Sequence, residues 1–561
     1  MREGSNTIFA TMDKIILENF KVFRERTEFE LAPITILTGK NSSGKSSVIK
    51  GLLLLADYIE QQGGPLANQL ELRLLDGKYS EKHRLNIWEN TTNWTQPENR
   101  TIQLAFEQKG IEYSFAFGGI DPKDSRGIFQ ESTVSDKAGR SSVFRRLSEN
   151  DFQYEVPLAL VEAIAMPSEY TPERVLAAIA ETEQTLETLA QQKEQGSGTG
   201  LVAIISQEQK LESRLQLLQE QLGVLSSQET DTSETISEVL DLKDHPELLQ
   251  KPLGSAIRMM VNRFYDNKAS VAEAIKESEE ETGINEDDST ESKHSENPKK
   301  ETKPTDIAFQ FTEELGKRSA FRLGHLSPNR VRQTRLFSRF DKSTAEFQKL
   351  INWYATTPLE GSSLKAFLEA WMQKLDIGTR LEVHNLEGEA ATVKVHLPGK
   401  EQPADLADLG YGMSQLVAIL LAILKLAYDA PGRIHTARDL RVATSPASAL
   451  LIIEEAEANL HPNLQSKLAD LFIAAYESFG IKFLLESHSE YLVRKLQLLI
   501  AKGLSPETAI IYYMDARNGV ADVRPIQILA DGMLSDHFGE GFFDEADTQA
   551  MGLFQVQNQK R

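Results

Sequence analysis

The feature that most constrains the fold is a glycine-rich octapeptide near the start of the chain. It reads Gly39-Lys40-Asn41-Ser42-Ser43-Gly44-Lys45-Ser46 and fits the pattern G-x-x-x-x-G-K-[ST] completely. The β-branched run Ile34–Thr38 precedes it, and the apolar helical run Ser47–Tyr58 follows it. In such a strand-turn-helix, backbone N–H groups converge on one point and the helix N-terminus adds partial positive charge. The sequence therefore predicts a nucleotide phosphate site.

Two side chains of this loop have predicted roles in nucleotide binding. Lys45 is expected to contact the β- and γ-phosphates, and the Ser46 hydroxyl is expected to ligate Mg²⁺. ATP and Mg²⁺ are the cofactors that follow from this assignment. The other residues of the predicted phosphate site are Gly39, Asn41, Ser42, Ser43, Gly44 and Ser47.

A pair of carboxylates ends a second apolar run. Leu450–Ile453 predicts a central strand, and Glu454 and Glu455 follow it directly. Glu454 is expected to hold Mg²⁺ through water, and Glu455 to act as general base on the attacking water. Most ATPases of this kind carry aspartate at the first position, so Glu454 brings a longer arm to the metal.

Two further motifs are present, one between the glycine-rich octapeptide and the carboxylate pair and one after that pair. Glu486-Ser487-His488-Ser489 ends the next strand, where His488 is expected to contact the γ-phosphate. The Ser-His pair also suggests hydrolase chemistry, but no nucleophile-elbow glycines surround either serine. Leu409–Gln415 (LGYGMSQ) is a glycine-serine turn that opens a helix. It either binds another terminal phosphate or is a plain capped helix start.

The order of these motifs resembles ABC-type ATPases of the recombination and structural-maintenance branch, including the overcoming-lysogenisation-defect ATPases. The resemblance implies that Gly412, Ser414 and Gln415 form a signature motif donated in trans to ATP on a partner head. It also implies a switch role for His488 and a homodimer or higher even-numbered oligomer. Lys14–Phe23 and Glu457–Pro462 resemble the same branch, which usually has proline where this chain has Ala456.

Two shorter stretches resemble a bacterial subgroup of antiphage ATPase subunits, the Septu-type and retron-associated ATPases. They are His325–Arg330 (HLSPNR) and Gly541–Glu545 (GFFDE). The resemblance implies a separate effector, such as an HNH nuclease. Relatives with a Toprim nuclease carry it after the ATPase, but only 73 residues follow His488 here. We therefore expect no nuclease domain in this chain, and we expect the acidic tail to be surface.

The predicted fold class is α/β: an ABC-type P-loop ATPase head with an inserted antiparallel helical hairpin and a disordered acidic linker. Residues 1–170 and 306–561 are expected to form the two halves of the head. Residues 171–275 carry leucine-rich heptad spacings broken at Gly196–Gly200, which predict the hairpin. Residues 276–305 are rich in charge and poor in apolar residues, which predicts disorder.

Composition limits the kinds of partner, cross-link and membrane association that this chain can have. The formal net charge of -22 opposes broad contact with phosphate backbones. The absence of cysteine excludes disulfides and thiolate zinc sites and is compatible with the cytoplasm. No run of 18 apolar residues occurs, so no membrane span is expected. Residues 1–11 lack the pattern of a secretory signal.

One basic stretch departs from this acidity. Residues 315–340 contain no Asp or Glu. The stretch is expected to bind nucleic acid, an acidic partner or the nucleotide, or to pair with the protein's own acids. Its seven basic residues are Lys317, Arg318, Arg322, Arg330, Arg332, Arg335 and Arg339.

Three functions fit these observations. The first is a regulatory ATPase of antiphage defence, in which ATP-driven dimerisation of two heads controls a separate effector nuclease. The second is a DNA-repair clamp of the recombination and structural-maintenance type. The third is an assembly scaffold that binds ATP but hydrolyses it slowly.

Overall fold

The computed structural model describes most of the ATPase motifs but only a small part of the predicted insertion. The described residues are 12–61, 70–75, 77–157, 159–161, 179, 186, 235–241, 322–331, 334–338, 345–386, 390–429, 449–539, 542–543 and 545–559. The chain divides into two compact units, one formed by residues 1–130 and 318–561 and the other by residues 131–317. All the motifs above that the structure describes lie in the first unit.

The described secondary structure is mixed α/β. The strands are β1 Lys14–Glu18, β2 Thr27–Glu30, β3 Ile34–Gly39, β4 Glu71–Arg73, β5 Thr101–Gln108, β6 Ile111–Gly119, β7 Arg126–Asp136, β8 Ser141–Arg146, β9 Asp151–Pro157, β10 Thr235–Asp241, β11 Arg322–Leu326, β12 Phe337–Ser338, β13 Arg380–Leu386, β14 Ala390–His396, β15 Ala404–Asp405, β16 Ala449–Glu454, β17 Ile481–Glu486, β18 Ala509–Arg517 and β19 Val520–Gln527. The α-helices are α1 Lys45–Gln61, α2 Ser80–His83, α3 Ala345–Thr356, α4 Ser363–Lys374, α5 Tyr411–Tyr428, α6 Pro462–Phe479, α7 Glu490–Ala501 and α8 Glu545–Gln559. Short 3₁₀ helices cover Trp88–Asn90, Leu406–Leu409 and Pro506–Thr508.

A six-stranded sheet forms the centre of the first unit. Its order is β11-β16-β17-β3-β18-β19, and every neighbouring pair is parallel except β18 and β19. β3 and β17 are apolar and almost completely buried, as expected for parallel strands covered on both faces. The carboxyl ends of β3, β16 and β17 meet at one edge. That edge carries the predicted site.

Two antiparallel sheets complete the first unit. In one, β1 pairs with both β2 and β5, and β5 pairs with β6. In the other, β14 pairs with β12, β13 and β15. The second of these sheets and the helices α3, α4 and α5 share one apolar core with the six-stranded sheet. Buried and partly exposed residues alternate along β14, so one face of this strand packs on the core and the other faces outward.

The second unit begins earlier than the sequence predicts. Its boundary falls within β7, after Gln130, whereas the sequence places it at residue 170. The reason is strand pairing: β8 pairs with β7 and β9, and β9 pairs with β10 from Thr235 to Asp241. β10 lies within the segment predicted to be a helical insertion. Of the predicted hairpin, the described residues otherwise include only Ile179 and Leu186, both helical. The acidic linker lies outside the described residues.

The longest apolar helix, α5, belongs to the core. Its residues from Ser414 onward are almost all buried. By length and composition α5 is the one helix in the described part of the chain that qualifies as a membrane span, and 67% of it is buried in the protein. Core helices of soluble proteins commonly have this character.

Candidate active site

The glycine-rich loop has the backbone conformation that phosphate binding requires. Gly39 has φ +125° and Gly44 has φ +111°. A Cβ on Gly39 would lie 2.0 Å from the Met514 carbonyl oxygen, and one on Gly44 would lie 2.6 Å from the Val22 side chain. The loop therefore lies directly against β18, and only glycine fits at these two positions.

Lys45 and Ser46 lie at the start of α1. The Lys45 ammonium donates to the Gly39 and Lys40 carbonyls at 3.0 and 2.7 Å. Burial lowers the pKa of Lys45, and the nearby Glu486 carboxylate partly opposes that shift. The Ser46 hydroxyl lies 3.1 and 3.2 Å from the two carboxylate oxygens of Glu486. These contacts bring the loop and the end of β17 together.

The rest of the predicted phosphate site divides into exposed and buried residues. Asn41, Ser42 and Ser46 are exposed, and Ser42 adopts φ +61°. The side chains of Ser43 and Ser47 are buried. The Ser43 hydroxyl has no hydrogen-bond partner within the described structure, so it is an orphaned polar atom in the loop.

The two carboxylates predicted at the end of β16 differ in environment. Glu454 is the last residue of the strand, and Glu455 begins a turn with φ +47°. A non-glycine residue in this region stores about 1–3 kcal/mol of strain unless its surroundings hold it there. Glu455 is exposed, so its carboxylate can meet water.

Arg330 holds the turn that carries these carboxylates. It is 1% exposed. Its guanidinium donates to the carbonyls of Glu454 at 2.9 Å, Glu455 at 3.3 Å and Ala456 at 3.4 Å. Burial lowers the pKa of Arg330 to about 10. Three backbone carbonyls in succession thus have one buried cation as their donor.

The Glu454 side chain has a partner that sequence reasoning missed. The His325 Nε2 atom lies 2.6 Å from Glu454 Oε1, and the His325 side chain is 1% exposed. His325 belongs to β11, which pairs in parallel with β16. In the sequence, this histidine stands out only as part of a family resemblance.

Glu486 is a second residue without a predicted role. In the register of β16 and β17 it lies directly beside Glu454. Its pKa is raised to about 7, first by burial and then by the negative charge of Glu454. In the sequence, Glu486 is visible only as an acidic residue at the end of a strand, two positions before His488. The order of the strands in the sheet is what shows that its carboxylate reaches Ser46.

His488 lies at the same edge, and Glu457 fixes the turn around it. The Glu457 carboxylate accepts from the Ser487 hydroxyl at 2.8 Å and from the His488 backbone N–H at 2.6 Å. Burial, and then the positive charge of Lys45, lower the pKa of His488. The His488 ring also lies 6.1 Å from that of Phe542 in the tail, between centroids. Both effects favour the neutral form of the His488 imidazole.

The glycine-serine turn opens α5. Gly410 precedes the helix with φ +97°, and Gly412 lies in its first turn. Ser414 is 2% and Gln415 0% exposed, because the apolar α5 turns both side chains inward. The predicted contacts of these two residues with ATP on a partner stay predictions. The half-exposed backbone of Gly410 to Gly412 remains at the surface.

The three described residues of the basic stretch differ in their surroundings. Arg330 is buried, so its predicted contact with an outside phosphate or partner is wrong. Arg335 is exposed and forms an ion pair with Asp408 at 2.8 Å. Arg322 donates to the Leu426 carbonyl at 3.2 Å. The other four residues, Lys317, Arg318, Arg332 and Arg339, lie outside the described residues.

The chemistry of the donor set fits Mg²⁺. A serine hydroxyl and carboxylates are the hard oxygen ligands this ion takes, with waters and substrate phosphates completing the octahedron. Among the described residues, no group of three or more His, Asp or Glu side chains is arranged to hold a metal by itself. Ser46 and Glu454 would therefore hold the ion together with nucleotide oxygens and water.

Two family models match this chain. A family model described as an AAA ATPase domain matches residues 11–493, and one described as a protein of unknown function (DUF3696) matches residues 504–553. No curated protein matches the chain. Among solved structures, the chain is similar to SMC head domains, and two examples follow. One is the Smc head domain with an extended coiled coil bound to the C-terminal domain of ScpA, derived from Pyrococcus furiosus; identity is 11%, the TM-score is 0.33, and 92% of this chain and 96% of that chain are covered.

The other is the SMC head domain from Thermotoga maritima, with 11% identity, a TM-score of 0.32, and coverage of 92% of this chain and 98% of that one. TM-scores this low support no statement about function or partners. The match to the AAA ATPase domain, which covers most of the chain, is the finding that assigns a family.

Proposed function

Because this chain belongs to the AAA ATPase domain family, whose model spans most of its length, we propose that it is a Mg²⁺-dependent ATPase acting as a head-to-head dimer. We propose further that closure and opening of the dimer control a separate effector nuclease in antiphage defence. The observation that carries the ATPase proposal is the convergence of Lys45, Ser46, Glu454, Glu455 and His488 at one edge of the parallel sheet.

Each residue at this edge has a chemical role in hydrolysis. Lys45 and the loop N–H groups bind the β- and γ-phosphates, and Mg²⁺, when bound, neutralises the charge that develops on them. Glu455 accepts a proton from the attacking water, which is consistent with its exposure. His488 donates a hydrogen bond to the γ-phosphate and orients the water.

A partner head supplies the rest of the site. The half-exposed backbone of Gly410 to Gly412 at the start of α5 offers N–H groups to the γ-phosphate on the other molecule. Because Ser414 and Gln415 are buried, this contact is a backbone contact. ATP bound between two heads would close the dimer, and hydrolysis would release it.

The test of the ATPase assignment uses two variants with opposite effects on binding. Lys45→Ala should abolish both ATP binding and hydrolysis, because it removes the cation on the phosphates. Glu455→Gln should retain ATP and lower turnover by about 10²–10⁴-fold, because an amide cannot accept the proton. Turnover is measured as phosphate released, and binding by equilibrium dialysis. Wild-type turnover by Lys45→Ala would refute the site.

The antiphage proposal rests on the resemblance of residues 325–330 and 541–545, and it has its own test. Cells that carry the gene in its natural neighbourhood should restrict phage plating, and Lys45→Ala should abolish that restriction. The DNA-repair alternative predicts instead that purified Glu455→Gln with ATP closes on bare DNA. Tight ATP-dependent DNA binding, with phage plating unchanged by Lys45→Ala, would favour the repair clamp.

A further inference from the structure

The contact between His325 and Glu454 joins two neighbouring strands of the parallel sheet. The 2.6 Å distance joins His325 Nε2 to Glu454 Oε1. An ionised carboxylate only accepts hydrogen bonds, so Nε2 must carry the proton. The other ring nitrogen, Nδ1, is buried and has no partner in the described part of the chain. The imidazole thus has one polar contact there, and it is to Glu454.

Packing alone does not fix the Glu454 carboxylate. A cavity of about 870 Å³ adjoins it, with Ser46, His325 and Glu454 in its wall. The Glu454 side chain is 18% exposed. Glutamate has one more rotatable bond than aspartate, so its carboxylate can swing into this space unless a hydrogen bond restrains it.

Electrostatic repulsion also acts to move the Glu454 carboxylate away from Ser46. Glu486 contacts the Ser46 hydroxyl, and it lies beside Glu454 in the strand register. Two carboxylates at such close range repel each other. A donor on the far side of Glu454 opposes that displacement. His325 is such a donor, and it comes from the next strand, β11.

We propose that His325 is a positioning residue that fixes the glutamate at the end of β16, so that this longer side chain can serve where an aspartate commonly does. This inference rests on the proposed function, because it assumes that Glu454 holds Mg²⁺. Residues that bond to a metal-holding side chain typically change metal affinity or activity by about 10–100-fold.

The test is a double-mutant cycle with ATP binding as the readout. His325→Leu removes the donor and keeps an apolar side chain in the buried position. His325→Gln keeps an N–H donor. Glu454→Asp withdraws the carboxylate by about one C–C bond, ~1.5 Å, beyond the reach of His325. For each variant, ATP affinity is measured by equilibrium dialysis in EDTA and at increasing Mg²⁺ concentrations.

His325→Leu should raise the Mg²⁺ concentration that half-saturates tight ATP binding by about 10-fold or more, while affinity in EDTA stays unchanged. His325→Gln should recover most of this loss. In the Glu454→Asp background, His325→Leu should shift the Mg²⁺ requirement by less than about 2-fold, because the contact is already absent.

An equal shift in both backgrounds would overturn the proposal, because His325 would then act independently of Glu454. Loss of affinity in EDTA would equally overturn it and indicate a purely structural histidine. If His325→Leu does not fold, His325→Ala, which also lacks the donor, takes its place in the cycle with the same expectations. Failure of the proposed function gives a different result, namely wild-type ATP binding that does not respond to Mg²⁺.

Discussion

Arg330 is a buried cation whose two terminal nitrogens donate to the backbone at the end of β16 and in the turn that follows. Its removal would leave the carbonyls of Glu454 and Ala456 without this donor and would release the strained Glu455. A buried group that loses its partner costs about 1–3 kcal/mol, and more when charge is involved. Arg335 differs, because its ion pair with Asp408 is exposed, and such pairs contribute about 0–1 kcal/mol.

These two arginines make a matched pair for mutation. Arg330→Met should lower the free energy of unfolding by roughly 2–5 kcal/mol and abolish ATPase activity, because the Glu455 turn relaxes. Arg335→Met should change the stability by no more than about 0.5 kcal/mol. Urea denaturation and phosphate release measure the two effects. Equal stability losses in both variants would contradict the assigned role of Arg330.

Lys21 offers a test of how stability depends on pH. Burial, followed by repulsion from Lys50, lowers the pKa of Lys21 to about 8, from 10.5. The folded state therefore binds fewer protons than the unfolded state between pH 8 and 10.5. Stability must rise with pH in that window as the unfolded state's proton is lost.

Lys21→Met removes this titration. The unfolding free energy of the wild type, minus that of Lys21→Met, should therefore increase by about 1–3 kcal/mol between about pH 7.5 and 10.5. Lys502→Met, at an exposed site, is the control for the loss of a lysine side chain elsewhere on the chain. Urea denaturation across this range provides the measurement. A decrease with pH for Lys21→Met would show that the folded state stabilises the cation.

At the scale of elements, the turn from β3 to α1 depends on its contact with β18. β3 pairs with β18 in parallel, from Ile34 to Gly39. The Lys40 N–H donates to the Met514 carbonyl at 3.1 Å just after this pairing ends. A side chain at Gly39 would have to displace that carbonyl, which belongs to a strand and cannot shift alone.

Gly39→Ala should therefore abolish ATP binding and lower the melting temperature. Its control is Gly503→Ala, which has a similar φ of +108° but open space around an added Cβ. Backbone strain alone costs about 1–3 kcal/mol at either position, so a larger loss at Gly39 measures the clash. Retained ATP affinity in Gly39→Ala would mean that the loop can bind phosphate without this close approach.

At the scale of the whole molecule, the proposed dimer needs the start of α5 to face ATP on a partner. Gly410 has φ +97° and ψ +159°, with nothing within 4 Å of an added Cβ. Aspartate or asparagine there would carry the same backbone strain, so any difference between them reports charge. Gly410→Asp should block ATP-driven dimerisation, because its carboxylate repels the γ-phosphate, and Gly410→Asn should retain it.

Mixing tests whether the site is shared between chains. Lys45→Ala and Gly410→Asp should each be inactive alone, because each spoils both sites of a homodimer. In the mixed dimer, one site combines an intact phosphate loop with an intact α5 start, so about a quarter of wild-type ATPase activity should return for random pairing of equal amounts. No recovery in verified heterodimers would mean that each chain completes its own site.

The sequence by itself determined most elements near the site and the residue types at their ends. The prediction of strands at Ile34–Thr38 and Leu450–Ile453 agrees with β3 and β16 to within one residue at each end. Local periodicity and turn chemistry suffice for this, because burial on both faces demands continuous apolar runs. The α/β class followed from the same patterns, and the match to the AAA ATPase domain agrees with it.

Only the tertiary structure decided which side chains are neighbours. β3, from the start of the chain, lies between β17 and β18, so Ser46 meets Glu486 across 440 positions of sequence. His325 reaches Glu454 because β11 adds to the other edge of β16. Periodicity specifies which face of a strand is buried, but hydrogen bonding between strands specifies what lies beside it. For the same reason Arg330 and Gln415 had to be located in the fold before their roles could be assigned.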